Sequence, residues 1–284
     1  MAKAKNIIIR DKNKLEKKIR QMKKGGTELL HVISDFDKTL TRVTSKKAGA
    51  STSYDPLERD IGSEEFIRKA KEMLKYYYPI EISPLLQMGY KKRKMDEWWE
   101  KYFELAVKHG MSKAIIQQAI DKYNLYLRRG ARELFSSLKK NNIPFLVFSA
   151  GVGNLIEKHL KDKGLLSANV HIVSNFFIFN KKGAAVGYSR PLVHVFNKNE
   201  GLIRISAYKK QIKKRKNVIL LGDSLGDLTM ADGMKHECIV KIGFYNHKHD
   251  KQRMSKYKKG YDVIITGNKD MLYVNKMLKE IIKA

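Results

Sequence analysis

Three short segments place carboxylates, a serine and glycines directly behind apolar runs. The first, Asp35-Phe36-Asp37-Lys38-Thr39, follows the run Leu29 to Ile33. Two carboxylates two positions apart face one side of an extended segment, while Phe36 faces the core. Such a pair can hold a divalent cation and divide the work of nucleophile and general acid. The second, Phe148-Ser149-Ala150-Gly151-Val152-Gly153, supplies a hydroxyl and lets backbone N–H groups approach an anion where a helix begins. The third, Leu221-Gly222-Asp223-Ser224-Leu225-Gly226-Asp227, adds two carboxylates and the glycines a sharp turn needs. Alone, each has an ordinary reading: a solvated turn, a tight strand-to-helix connection, or Asp227 capping the next helix.

Together they mean more. Parallel strands bring their C-terminal ends to one sheet edge, where open α/β sheets bind ligands. Asp35, Asp37, Asp223 and Asp227 crowded there raise one another's pKa unless a cation offsets them. Oxygen-only ligands favour Mg²⁺, completed by waters and a phosphate. Lys198, in His194-Val195-Phe196-Asn197-Lys198, is a candidate to hold that phosphate, although nothing local separates it from the other lysines.

The elements that would position these groups follow from periodicity. A basic helix with a Leu15, Ile19 and Met22 stripe runs from Asp11 to Lys24 and stops at Gly25-Gly26. From Ala48 to Arg129 three helical faces follow one another without a strand: Phe66 to Tyr77 behind Ser63, Met95 to Leu105, and Ile115 to Tyr123 behind Ser112. After Gly130, helical stretches alternate with the short strands Ile143–Phe148, Val170–Val173, Phe176–Phe179, Val218–Leu221, Ile239–Ile242 and Val263–Ile265, before a last helix from Met271 to Ile282. The pattern predicts an α/β fold: a doubly wound, mostly parallel, Rossmann-like sheet with a helical insert after its first strand. Residues 1–45 and 130–284 form the expected core, and 46–129 the helical insert.

Lys and Arg number 58 against 29 Asp and Glu, a net charge of +29 that favours phosphorylated or polyanionic partners and disfavours a cationic substrate. The single Cys238 rules out an intramolecular disulfide framework and reads as an inert thiol in an apolar strand. No apolar run approaches the roughly 20 residues that span a bilayer, and Ile7-Ile8-Ile9 is too short for a signal-peptide core. A cytoplasmic protein without a membrane partner is expected; oligomeric state is open.

The motifs resemble those of the haloacid-dehalogenase (HAD) superfamily: Asp35-Phe36-Asp37-x-Thr39-Leu40, Phe148-Ser149-Ala150-Gly151, Lys198, and Gly222-Asp223-Ser224-x-Gly226-Asp227. More narrowly, Val173-Ser174-Asn175-Phe176, His194 to Lys198 and Leu221 to Gly233 are similar to cytosolic pyrimidine 5′-nucleotidases of type III, over roughly residues 28–284. The resemblance implies a HAD-type core whose helical insert is a cap. It implies Asp35 as nucleophile through an aspartyl-phosphate and Asp37 as acid and base. Mg²⁺ would rest on Asp35, the carbonyl of Asp37 and Asp223, supported by Asp227. Ser149, the Ala150 amide and Lys198 would hold the phosphoryl oxygens, and Thr39 would orient the loop. Glu81 falls where the family sets a cap glutamate near the base, and Tyr102 where some members carry a serine. Tyr102 can stack on a base or belong to the insert's apolar face. Residues Thr44 to Asp60 depart from the family pattern.

The expected activity is Mg²⁺-dependent hydrolysis of nucleoside 5′-monophosphates, with UMP and CMP first and 7-methyl-GMP second. A nucleoside phosphotransferase, or a phosphatase on another small ester, is the near alternative. A nucleic-acid-binding protein that lost the reaction is the distant one, and the basic surface allows nonspecific nucleic-acid contact. The pair His247 and His249 and the runs Lys91–Lys94 and Lys213–Lys216 read as solvated, and at least one of Trp98 and Trp99 as core.

Overall fold

A computed structural model describes residues 6–44, 50–60, 63–247 and 250–283. The chain opens with a short strand β1 (Ile7–Ile9) and helix α1 (Lys12–Gly25), whose first turn is capped by the Asp11 carboxylate accepting from Lys14 N at 2.9 Å. Leu15 and Met22 are buried, as the stripe predicts, and Lys12, Lys14, Lys17 and Lys24 face outward, while Lys18 pairs with Asp262 at 2.6 Å. Strand β2 (Leu30–Ser34) is buried along its whole length. The chain then turns tightly over Phe36–Leu40 and enters α2 (Asp55–Asp60), α3 (Glu64–Ile82), α4 (Met88–Lys108) and α5 (Lys113–Lys122). Ser63 and Ser112 cap α3 and α5 through Phe66 N and Ile115 N.

Helix α6 (Ala131–Lys140) leads into β3 (Phe145–Val152), α7 (Gly153–Asp162), β4 (Val170–Asn175) and the hairpin β5 (Phe177–Phe179) and β6 (Ala185–Tyr188). After α8 (Ser206–Ile212) come β7 (Asn217–Gly222), β8 (Cys238–Tyr245), α9 (Lys251–Gly260), β9 (Val263–Thr266) and α10 (Leu272–Ile282). The seven-stranded sheet has the order β1-β9-β8-β7-β2-β3-β4, parallel except for β1. Its central strands alternate between two cores. Val32, Val147, Ile219 and Leu221 face one side with Leu134, Leu155 and Leu278, while Ile33, Leu146 and Leu220 face the other with Tyr208 and Tyr257.

Two expectations change, and the β5–β6 hairpin finds its place. Ile7–Ile9, read only as an apolar stretch too short for targeting, is an edge strand pairing antiparallel with β9. β3 continues through Val152, so the glycine-containing turn expected after Phe148 is strand. The β5–β6 hairpin packs on the insert: the Phe103 and Phe177 rings lie 4.7 Å apart, and Tyr188 donates to Glu104 at 3.3 Å. The boundary drawn at residues 45–46 falls outside the described residues.

His159 on α7 meets Phe36 edge-on at 6.2 Å, beneath the Asp35–Asp37 turn. Burial first, then Lys163 and Arg132, lower its pKa from the ordinary 6.5 to about 4. The folded protein therefore resists a proton that the unfolded chain accepts below 6.5, and this stabilisation is lost as pH falls from 6.5 towards 4. Between about pH 7.5 and 5 the wild type is expected to lose about 2 kcal/mol more unfolding free energy than His159→Gln. Urea unfolding at both pH values measures it, and equal losses would show that His159 does not carry the effect.

Candidate active site

Strand order sets the site. β3, β2 and β7 are neighbours and parallel, so Ser149, Asp35 and Asp223 emerge at one edge. Asp35 N still bonds to Leu221 O at 2.9 Å, tying the first carboxylate to the end of β7. Beyond it the backbone is not extended as expected: Lys38 has φ 61°, and the segment closes into one turn. Left-handed backbone is costly for a lysine and persists where surroundings hold it. Here Arg128 donates to the carbonyls of Lys38 and Thr39, and Asn246 Nδ2 to Lys38 O at 3.0 Å.

Lys198 is singled out by geometry. Its Nζ lies 2.7 Å from Asp35 Oδ1 and 2.8 Å from Asp227 Oδ1, with all three side chains buried. Burial works against the ammonium, yet Asp227 and Asp35 raise its pKa above the ordinary value. Asp227 has its other oxygen filled as well: Oδ2 accepts from Asp223 N, Ser224 N and Ser224 Oγ at 3.1, 2.9 and 2.9 Å. Ligand oxygens of Asp35, Asp223 and Asp227 all lie within 4.8 Å of one another. Burial first, then Asp35 and Asp227, push Asp223 far above the carboxylate range. Burial likewise raises Asp35, against Lys198. An all-oxygen cluster with Asp35 and Asp227 buried, Asp223 half-buried and more negative charge than its one lysine offsets suits Mg²⁺. Asp227, fully occupied by hydrogen bonds, is the member that steadies the others.

Asp37 is held separately. Ser53 N and Ser53 Oγ donate to its two oxygens, each at 2.8 Å, and Val152 N donates to Ser53 Oγ at 3.1 Å. Burial first, then Asp35, raise Asp37 to about 7 against the Ser53 bonds. Ser149 is buried, with Gly151 N donating to its Oγ at 3.0 Å. A Cβ on Gly151 would sit 2.1 Å from Ser53 Oγ and 3.0 Å from Asp37 Oδ2, so the Ser149 segment and the first motif meet there. The Ala150 carbonyl is taken by Tyr54 Oη and Asn175 Nδ2 at 2.7 and 2.8 Å. Thr39 is buried, and its hydroxyl favours the charged form of Asp35.

Among the residues assigned to the insert, Glu81 is half-buried near the end of α3; burial raises its pKa, and Lys91 and Lys38 oppose this. Tyr102 lies in an aromatic core with Tyr54, Phe66, Trp99 and Phe103, the second of its two readings. Trp98 is buried, and Tyr77, Trp98, Trp99 and Tyr54 stack in succession at 5.5, 5.2 and 4.9 Å. Lys91 corrects the solvated-run reading: it is buried, donates to Ser83 O at 2.9 Å and lies 4.8 Å over Phe196. His247 takes a bond from Arg253; His249 lies outside the described residues.

Sequence reasoning missed Ser53, Tyr54, Arg128 and Asn246. They sit in irregular chain, where no periodicity marks a side chain as buried. It also missed a second buried cluster. Glu200 accepts from His31 and His236 at 3.0 and 2.7 Å and from Tyr208. Through His31 this cluster pins the segment two residues beyond Lys198 to β2, and Glu200 N donates to Met230 O at 3.0 Å, which ties it to the turn after β7.

Comparison with known proteins gives one reading. The family model described as pyrimidine 5′-nucleotidase (UMPH-1) matches residues 38–282. A 7-methylguanosine phosphate-specific 5′-nucleotidase of Homo sapiens is 37% identical over 278 residues, covering 97% of this chain and 92% of its own length. Its Gallus gallus counterpart is 39% identical over 266 residues, 93% of this chain and 92% of that protein. The crystal structure of cytosolic 5′-nucleotidase IIIB bound to cytidine superposes with a TM-score of 0.88 at 33% identity, covering 98% and 94% of the two chains.

Proposed function

We propose, from the premise that this chain belongs to the pyrimidine 5′-nucleotidase (UMPH-1) family and is a 5′-nucleotidase, that it cleaves nucleoside 5′-monophosphates through an aspartyl-phosphate on Asp35. The observation that carries the mechanism is Lys198 bridging Asp35 and Asp227, with the Asp223 carboxylate alongside. Asp35 attacks phosphorus while Asp37 donates its proton to the departing 5′ oxygen. Water then attacks the phosphoryl group, gives its proton to Asp37, and releases phosphate with Asp35 restored. A pKa about 7 suits a group that must donate in one step and accept in the next. The Ser149 hydroxyl, the Ala150 amide and Lys198 hold the phosphoryl oxygens, and the Thr39 hydroxyl orients Asp35 within the loop. Asp35, the Asp37 carbonyl and Asp223 hold Mg²⁺, which supplies charge neutralisation for the transferring group. Helices α2 to α5 form the cap, Tyr102 backs Tyr54 within it, and the setting is cytoplasmic, as in the names of its cytosolic relatives.

The base specificity rests on Glu81, whose carboxylate accepts hydrogen bonds from an exocyclic amine or attracts the cationic ring of 7-methylguanine. CMP, UMP and 7-methyl-GMP are the proposed substrates. Phosphate release from these is expected with Mg²⁺ and lost with EDTA, with GMP as the comparison. Glu81→Ala is expected to change the ratio of kcat/KM between bases by about ten- to a hundredfold, the worth of a hydrogen bond to a charged group. Unchanged ratios would remove Glu81 from base recognition. Failure to release phosphate from any monophosphate would favour a binding protein instead.

A further inference from the structure

The α3–α4 hairpin ends in a tip that exposes apolar side chains on either side of Glu81. Tyr78, Ile82, Leu85, Leu86, Met88 and Tyr90 all project into solvent there, Leu85 with 91% of its surface exposed. Exposed apolar patches of this kind mark contact sites. The charge around them is of one sign. Between Glu72 and Asp96 the only acid is Glu81, half-buried and within the influence of Lys91 and Lys38, while Lys75, Lys92 and Arg93 are exposed.

We propose that this tip docks the protein on an anionic lipid surface, with Leu85 and Leu86 entering the headgroup–acyl boundary and the flanking lysines and arginine meeting lipid phosphates and carboxylates. The aliphatic tip favours lipid over RNA. Leucine, isoleucine and methionine offer no π-face for a base to stack on, whereas they partition into an apolar boundary with tyrosines at headgroup level. A second copy of the chain is a poor occupant, because net +29 must approach net +29 through faces that are themselves basic. Among the described residues no helix is long and apolar enough to cross a membrane. The expectation of no membrane partner rested on crossing alone. Docking needs only a short apolar tip and a basic rim.

The test is co-sedimentation of the full chain with phosphatidylcholine vesicles, with and without phosphatidylserine. Binding is expected only with phosphatidylserine, and to weaken in high salt. Leu85→Ser with Leu86→Ser should reduce it at least about tenfold, as should Lys92→Glu with Arg93→Glu, with hydrolysis of a soluble monophosphate unchanged in both. No binding to phosphatidylserine vesicles overturns the proposal. So does binding indifferent to the two leucines, which would be charge alone. Single-stranded RNA binding that depends on those leucines, or self-association that Leu85→Ser dissolves, assigns the tip to another partner and overturns it equally.

Discussion

Asp35→Asn is expected to lower kcat for phosphate release by at least about 10⁴-fold while leaving the thermal midpoint unchanged or raised. An amide has the shape of the carboxylate and still offers an oxygen to Lys198 Nζ, 2.7 Å away in the native protein. It has no anionic oxygen to form a bond with phosphorus. Stability moves the other way, because Asp35 is one of the charges that push Asp223 up, and burial makes each costly. Removing one negative group from a cluster that one lysine cannot neutralise relieves repulsion in the metal-free fold. Loss of activity without loss of stability separates a nucleophile from a structural residue. Phosphate release under saturating CMP and 7-methyl-GMP, read beside a melting curve in EDTA, gives both numbers. A rate within about tenfold of wild type would mean that water activated by Asp37 attacks directly, and the aspartyl-phosphate would have to be abandoned.

How far the site can be read from the chain depends on what each residue answers to. Asp35 and Asp223 were legible because each follows a short buried strand, Ser149 because it lies near the end of another, and parallel strands deliver their ends to one edge. The helices of the insert were legible from the 3.6-residue period of Phe66, Met95 and Ile116. Ser53 obeys neither rule. It lies in irregular chain before α2, and its contacts with Asp37 and Val152 join points 16 and 99 residues away. Arg128 likewise looks like any other basic residue, yet it donates to the carbonyls of Lys38, Thr39 and Lys269. β1 is three residues long and finds its partner across nearly the whole chain. Lys91 began as part of a basic run, but tertiary packing folds it under Ser83 and over Phe196. Local pattern thus shows where reacting groups emerge; the groups that aim them come from loop closure, which local pattern does not encode.

Lys198→Met carries the second large effect, and it acts on chemistry and fold together. The ammonium is buried between Asp35 and Asp227, so its loss leaves at least two carboxylates unpaired in a site where burial already opposes ionisation. Breaking a buried ion pair from one side costs about 3–5 kcal/mol, which in a chain of this size lowers Tm by about 10 °C. The loss has a predictable pH dependence. Carboxylates whose folded pKa is raised above the unfolded value lose stability as pH rises through the folded pKa and regain it on acidification. The Tm deficit of Lys198→Met is therefore expected to be larger at about pH 7.5 than at about pH 5. Mg²⁺ should restore more of it than it adds to the wild type, since a cation enters where one was removed. Activity does not return with it. Without an ammonium to meet the phosphoryl oxygens, kcat/KM falls by about 10²–10³-fold even with Mg²⁺ saturating. Melting curves across pH and Mg²⁺, paired with kinetics, separate the two roles. A Tm deficit insensitive to both would mean that Lys198 fills space and does not balance charge, and the reading of this cluster as a phosphate and Mg²⁺ site would lose its central support.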